Sequence, residues 1–188
     1  MATRRGGSGG IGKFFLGFFS ALLLAAAVLF LYFHFGAPPV AVADQPFLFE
    51  RAIVRAPLSA RIARQTAEPP FGISEDVFEA GARVYRQECA ACHGTPGHDV
   101  AFAAHMYPRA PQLFKKHPQS AVVGVSDDPP GETRWKIANG IRLTGMPSYN
   151  QVLSDNQIWQ VALLLKNADQ PLPDPVERIL NAPKPQAP

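Results

Sequence analysis

The sequence predicts a helical protein with one membrane-spanning helix at its N-terminus, and three observations support this prediction. A run of 22 residues, from Phe14 to Phe35, carries no charged side chain. Two later segments, Val77 to Ala91 and Ile158 to Leu165, repeat apolar residues at helical spacing. The chain has 188 residues, of which 47% are hydrophobic. That is enough for one domain with a core and for an additional membrane segment.

The composition excludes several classes of protein. Proline accounts for 19 of the 188 residues, about twice its usual share, which argues against a bundle made mostly of long helices. Two cysteines are too few for a disulfide-rich scaffold. The net charge of +3 is too small to indicate a nucleic-acid-binding surface. This positive charge is concentrated in the N-terminal third, so it says little about what the main domain binds.

The apolar run is long enough to cross a bilayer, which takes about 20 residues of helix. Three cationic residues precede it: Arg4, Arg5 and Lys13. The first charge after it is acidic, so the positive-inside rule predicts a cytoplasmic N-terminus over residues 1–13 and a signal anchor over 14–36. The alternative is a signal peptide cleaved after Ala43, because Ala41-Val42-Ala43 has the small-x-small form of a cleavage site.

Residues 37–71 are expected to form a stalk before the main domain. Within it, Phe47 to Gln65 combines apolar residues at near-helical spacing with four arginines: Arg51, Arg55, Arg61 and Arg64. Pro57 interrupts the pattern, so two short helical pieces are expected rather than one helix. One interpretation of this segment is a basic amphipathic surface that rests on anionic headgroups or on a partner subunit. The other is a solvated spacer. The main domain is expected over 72–169, and a Pro-rich tail over 170–188 is expected to be extended.

The motif that carries chemistry is Cys89-Ala90-Ala91-Cys92-His93, a C-x-x-C-H sequence. A thioredoxin-like pair needs a βαβ setting, whereas the residues before Cys89 have a helical pattern. A zinc site needs four ligands, and the chain has no second cysteine pair. Covalent attachment of a c-type haem needs this motif and little else. The motif therefore predicts one haem c bound through Cys89 and Cys92, with His93 as an iron ligand.

Three segments together resemble a monohaem class I c-type cytochrome of the bacterial membrane-anchored kind: GARVYRQECAACHG, NGIRLTGMPSY and SDNQIWQVALLLKN. The resemblance covers about residues 72–168. It implies an all-α class I cytochrome c fold around one covalent haem, preceded in the chain by the single transmembrane helix. It also implies that the haem domain lies in the periplasm, at the bacterial inner (cytoplasmic) membrane. Gly81 on the first helix is expected to contact Trp159 on the last, where the two helices cross.

The sixth iron ligand is predicted to be Met146, which lies between Gly145 and Pro147 in a loop that can turn a thioether inward. This loop also matches the distal-ligand loop of the family. Four other side chains remain open as alternatives: Met106, His98, His105 and His117. A His–Met pair raises the haem potential relative to other axial pairs, which suits an electron carrier with oxidising partners.

Further residues are expected around the haem. The resemblance implies that a proline carbonyl holds the free nitrogen of the ligating imidazole. Pro111, in Pro111-Gln112-Leu113, fits this role, and Pro108 is the alternative. Leu113 would then pack on the haem. Two further residues, Trp135 and Ile141, are expected to line the haem pocket. Candidate partners for the haem propionates are Arg134, Arg142 and Tyr149.

The function predicted from these residues is electron transfer rather than enzymatic catalysis. The first hypothesis is a membrane-anchored carrier of single electrons that meets redox proteins or a membrane oxidoreductase complex. The second is a fixed subunit of a respiratory, photosynthetic or dehydrogenase complex. The third is a haem enzyme or gas sensor with a labile sixth ligand. No hydrolase triad, phosphate loop or nucleotide fingerprint occurs in the sequence.

Overall fold

The structure is a computed structural model that describes residues 9–183, and these residues are helical without a strand. They form two compact units that divide between Pro46 and Phe47. The all-α prediction is therefore confirmed. Arg4 and Arg5, on which the predicted orientation partly rests, lie outside the described residues, as does the end of the tail from residue 184.

The first unit contains one long helix, α1, over Gly9–Phe35. Its segment Gly10–Phe35 is long and apolar enough to cross a membrane, as the sequence predicts. The helix begins earlier than the apolar run and includes Lys13 in its first turns. Gly36 ends it, with its N–H bonded to the carbonyl of Tyr32 at 2.9 Å.

The second unit begins with α2, a single helix over Glu50–Gln65 with Pro57 inside it. The prediction of two short pieces is therefore wrong. Pro57 cannot donate a backbone hydrogen bond, but the helix continues because its C-terminal half is held against the domain. Ile62 is buried there, and Gln65 Oε1 accepts a hydrogen bond from Trp135 Nε1 at 2.9 Å.

Helices α3 (Glu75–Glu88) and α6 (Asp155–Lys166) form the centre of the second unit. Both begin at a serine: Ser74 accepts a hydrogen bond from the N–H of Val77, and Ser154 forms the expected capping box with Gln157. These caps satisfy N–H groups that would otherwise lack partners at each helix start. The starts of both helices thus follow from local sequence.

The two helices approach each other at Gly81, where the sequence predicts a helix crossing. A Cβ placed on Gly81 would lie 2.5 Å from the carbonyl oxygen of Gln160 and 3.3 Å from the N of Val161. The close approach is therefore confirmed, but the nearest atoms belong to the α6 backbone and not to Trp159. The Trp159 ring instead lies 5.7 Å from the guanidinium carbon of Arg134.

A further helix, α7, spans Asp174–Asn181 in the segment expected to be an extended tail. That expectation is wrong for these residues. Val176 and Leu180 are fully buried, and α7 packs on α3. Pro175 is at the second helical position, where its missing N–H costs no helical hydrogen bond.

Two short helices and a longer one complete the second unit: α4 (Ala90–His93), a 3₁₀ turn over Ala101–His105, and α5 (Pro130–Asn139). Helix α5 packs on both α2 and α6. The core collects side chains from α3, α5, α6, α7 and the connecting loops. Its buried members include Ala82, Tyr85, Leu113, Ile137, Ile158, Val161, Leu164, Val176 and Leu180. Cys89, Met146 and Tyr149 pack against this core from its edge.

Candidate functional site

The C-x-x-C-H motif occupies a tight turn at the C-terminal end of α3. Cys89 ends α3 and precedes α4, and its carbonyl accepts hydrogen bonds from the N–H groups of Cys92 (3.1 Å) and His93 (3.0 Å). The Tyr85 hydroxyl donates to the carbonyl of Gly94 at 2.8 Å, which ties the end of the motif back to α3. Both cysteines are free thiols and half-buried. The turn thus presents two thiols and one imidazole from five consecutive residues.

The segment Pro111-Gln112-Leu113 is bonded to this turn at three points. His93 Nδ1 donates to the carbonyl oxygen of Pro111 at 2.7 Å, with the roles set by the imidazole tautomer. Gln112 Nε2 donates to the carbonyl of Cys92 at 3.1 Å, and the Leu113 N–H donates to that of His93 at 3.1 Å. The Pro111 contact is the one expected from the sequence. It leaves Nε2 of His93 as the nitrogen available for a metal.

Gln112 is a site residue that the sequence reasoning missed. Besides its bond to Cys92, its Oε1 accepts a hydrogen bond from the N–H of Val100 at 2.7 Å. A Cβ on Gly94 would lie 2.6 Å from the same oxygen, so Gly94 leaves the space that Gln112 occupies. The Pro-x-Leu pattern drew attention to its two neighbours, and nothing local distinguishes a structural glutamine from a solvated one.

Met146 lies in a loop that is closed by its own hydrogen bonds. Its carbonyl accepts from the N–H of Ile141 at 3.3 Å. Thr144 Oγ1 donates to the carbonyl of Ile141 at 2.7 Å and accepts from the N–H of Met146 at 3.0 Å. Ile141 is half-buried at the neck of this loop. These hydrogen bonds fix the backbone of the loop that carries Met146. The Met146 side chain packs against the core.

Tyr149 connects the Met146 loop to the cysteine motif. Its hydroxyl donates to the carbonyl of Glu88 at 2.9 Å, next to Cys89, and its N–H donates to the carbonyl of Ile137 at 3.1 Å. The sequence suggested a haem propionate as a partner for this hydroxyl. In the structure Tyr149 instead holds the end of α3 and the Met146 loop together.

Two further expected residues, Trp135 and Arg134, form hydrogen bonds with other parts of the domain. Trp135 is buried, but its indole faces α2, where it bonds to Gln65 and lies 6.0 Å from the guanidinium carbon of Arg61. Arg134, a candidate propionate partner, donates its Nε to Asp155 Oδ1 at 3.0 Å. The contacts above therefore group Cys89, Cys92, His93, Pro111 and Leu113 at the cysteine motif. Tyr149 connects the end of α3 to the loop that contains Ile141 and Met146.

The protonation of the motif does not suit thiol redox chemistry of the thioredoxin type. Burial, helped by the nearby charges of Glu88 and Cys92, raises the pKa of the Cys89 thiol to about 12. A thioredoxin-type nucleophile needs a lowered pKa. Burial also lowers the pKa of His93, and the Pro111 hydrogen bond partly opposes this. His93 is therefore a neutral imidazole at physiological pH, which is the form that binds a metal.

The residues present fit a covalently bound haem c. Two thiols would provide the attachment, and a neutral imidazole with a fixed tautomer would provide one axial ligand. Within residues 9–183, no three His, Cys, Asp or Glu side chains converge as a metal-ligand cluster. Met146, like Cys89, packs against the hydrophobic core.

The helices and this motif define a c-type cytochrome domain. Residues 76–165 match the family model described as cytochrome C oxidase, cbb3-type, subunit III. The match runs from the start of α3 to the end of α6, so the chain contains a cytochrome c domain, and α1, α2 and α7 lie outside the matched range. No curated protein matches the chain.

Two glycines at the Met146 loop are expected to differ in how much stability an alanine substitution costs. Gly140 has φ +66°, and its Cβ would lie 2.7 Å from the backbone carbon of Pro147. We expect Gly140→Ala to lower the free energy of unfolding by about 2 kcal/mol or more. The Cβ of Gly145 would meet only the terminal methyl of Met106, at 2.5 Å. This flexible group can rotate away, so Gly145→Ala should change stability by about 0.5 kcal/mol or less.

Thermal unfolding of the two haem-loaded variants, followed by circular dichroism, checks this contrast. Equal losses in both would show that the Met146 loop is not held by the backbone contacts of Gly140.

Proposed function

We propose that this protein carries single electrons between redox proteins at a membrane surface, using one covalent haem c with His93 and Met146 as axial ligands. When bound, the haem supplies an iron that alternates between the ferric and ferrous states. The observation that carries the proposal is the hydrogen-bonded connection of two separate loops to the cysteine motif. Pro111 holds the imidazole of His93, and Tyr149 links the Met146 loop to Glu88.

This connection matters because electron transfer needs a site that changes little between two charge states. The hydrogen bonds of Pro111, Gln112 and Leu113 fix the turn that holds the imidazole. The closed loop around Met146 limits the movement of the thioether. A site with both axial positions filled leaves no place for a substrate on the iron. The arrangement therefore supports an electron carrier over an enzyme or a gas sensor.

A second candidate is a cytochrome subunit of an oxidase complex. The observation in its favour is the family match, whose description names an oxidase subunit. Helices α2 and α7, which lie outside the matched range, add surface to the cytochrome domain on which other subunits could pack. Electron transfer at the haem would be the same in both cases, so only the permanence of the partner differs.

Reduced-minus-oxidised visible spectra of solubilised membranes, with and without carbon monoxide, test the proposal. We expect a low-spin c-type spectrum that carbon monoxide does not change, because both axial positions are filled. A shift with carbon monoxide would contradict this ligation and favour the enzyme or sensor hypothesis. Purification in mild detergent then separates the two candidates, since a fixed subunit copurifies with other haem proteins and a free carrier does not.

A further inference from the structure

We propose that the N-terminal half of α2 and the two residues before it lie on the membrane surface, with their apolar side chains in the headgroup region of anionic lipid. The first support is an unusual exposure of large apolar side chains. Leu48, Phe49 and Ile53 are 80%, 70% and 70% exposed. Ile53 precedes the buried Ile62 by nine residues, or two and a half helical turns, so it lies on the side of α2 opposite the domain.

The second support is positive charge that no carboxylate balances. Helix α2 carries four arginines, Arg51, Arg55, Arg61 and Arg64, against the single acid Glu50. Among residues 9–183, none of the four forms an ion pair with a carboxylate. Exposed apolar residues at the start of a basic helix are the pattern that binds anionic lipid interfaces.

The third support is the connection to α1. Only eleven residues, 36–46, separate the end of α1 from Phe47, and such a segment reaches at most about 40 Å. With α1 in the bilayer, α2 cannot leave the neighbourhood of the lipid surface. This connection favours lipid over a protein partner as the occupant of the exposed face.

Docking of α2 on the membrane would also affect the cytochrome domain, because the C-terminal half of α2 is attached to that domain. Ile62 and Gln65 hold this half against α5, so α2 is not a flexible tether. A membrane-bound N-terminal half would therefore restrict how the cytochrome domain is oriented toward the membrane. The inference stands independently of the iron ligands and of the identity of the redox partners.

The test measures how fast a neutral polyethylene-glycol maleimide modifies Ile53→Cys in the full-length, haem-loaded protein. The protein is placed in nanodiscs of zwitterionic lipid or of lipid containing phosphatidylglycerol. We expect the rate to fall roughly tenfold in the anionic nanodiscs, because anionic lipid attracts the arginines of α2 and favours the docked state. Val152→Cys, at a position that is 65% exposed and outside α2, is the matched control and should react equally in both lipids.

A charge variant then tests the cause of the protection. Arg55 and Arg64 are suitable because the structure shows no hydrogen bond or ion pair for either within residues 9–183, whereas Arg51 lies beside Tyr107 and Arg61 beside Trp135. Arg55→Gln/Arg64→Gln should lower the ratio of docked to undocked helix roughly thirtyfold and restore fast modification. Arg109→Gln/Arg178→Gln, which removes the same charge elsewhere, should leave the protection intact.

Equal rates at residue 53 in the two lipids would overturn the proposal. So would protection that appears only when a second protein is present in the nanodisc, because the exposed face would then be a protein interface.

Discussion

Replacing Met146 by alanine is expected to let carbon monoxide bind to a haem that excludes it in the unchanged protein. The thioether is the proposed sixth ligand, and alanine cannot reach the iron. The reduction potential should also fall, by on the order of 100 mV, because axial ligands set haem potentials over a range of about 0.8 V. Carbon monoxide difference spectra and a redox titration measure the two effects separately.

Met106→Ala is the matched control for this experiment. Its terminal methyl lies next to Gly145, in the same loop region as Met146, so both variants remove a methionine from one neighbourhood. We expect Met106→Ala to keep the sixth position closed. If Met106→Ala opened the site and Met146→Ala did not, Met106 would be the ligand. If neither did, the remaining candidates would be His98, His105 and His117.

The features that sequence predicted well depend on short-range chemistry. The serines that cap α3 and α6 act on N–H groups within three residues, so their role can be recognised without the fold. The length of the apolar run similarly specifies α1 by itself. Gly81 was identified because glycine inside a helix is costly unless something passes close to it. Only the structure shows that the neighbour is the backbone of Gln160.

The features that sequence missed depend on partners far away in the chain. The hydrogen bond of Trp135 to Gln65, seventy residues away on α2, was not predicted from the sequence. That contact also explains why α2 continues past Pro57, where the local rule predicts a break.

The missed helix α7 is a different case, because its signal was present. Val176, Ile179 and Leu180 have helical apolar spacing, and two of them are fully buried. The surrounding prolines suggested an extended tail. Pro175, however, lies in the first turn of the helix, where proline is favoured.

Replacing Gly81 by valine is expected to destabilise the cytochrome domain strongly. The added Cβ would lie 2.5 Å from the carbonyl oxygen of Gln160 and 2.8 Å from its carbon. Both atoms belong to a helix backbone that cannot rotate away, so α3 and α6 must separate. Their separation would loosen the contacts of Tyr85 and Val161, which are fully buried at this interface. We expect a loss of about 3 kcal/mol or more.

Gly81→Ala places the same Cβ without the extra methyl groups, and the helix propensity of alanine returns about 1 kcal/mol. Its loss should therefore be smaller, about 1 to 2 kcal/mol. Gly72→Ala is the control, because a Cβ there meets nothing within 4 Å, and it should not lower stability. Denaturant unfolding of the haem-loaded protein, followed by circular dichroism, gives the three values. A Gly81→Ala variant more stable than the unchanged protein by about 1 kcal/mol would mean that α3 and α6 are not in backbone contact, because alanine's higher helix propensity would then act without opposition.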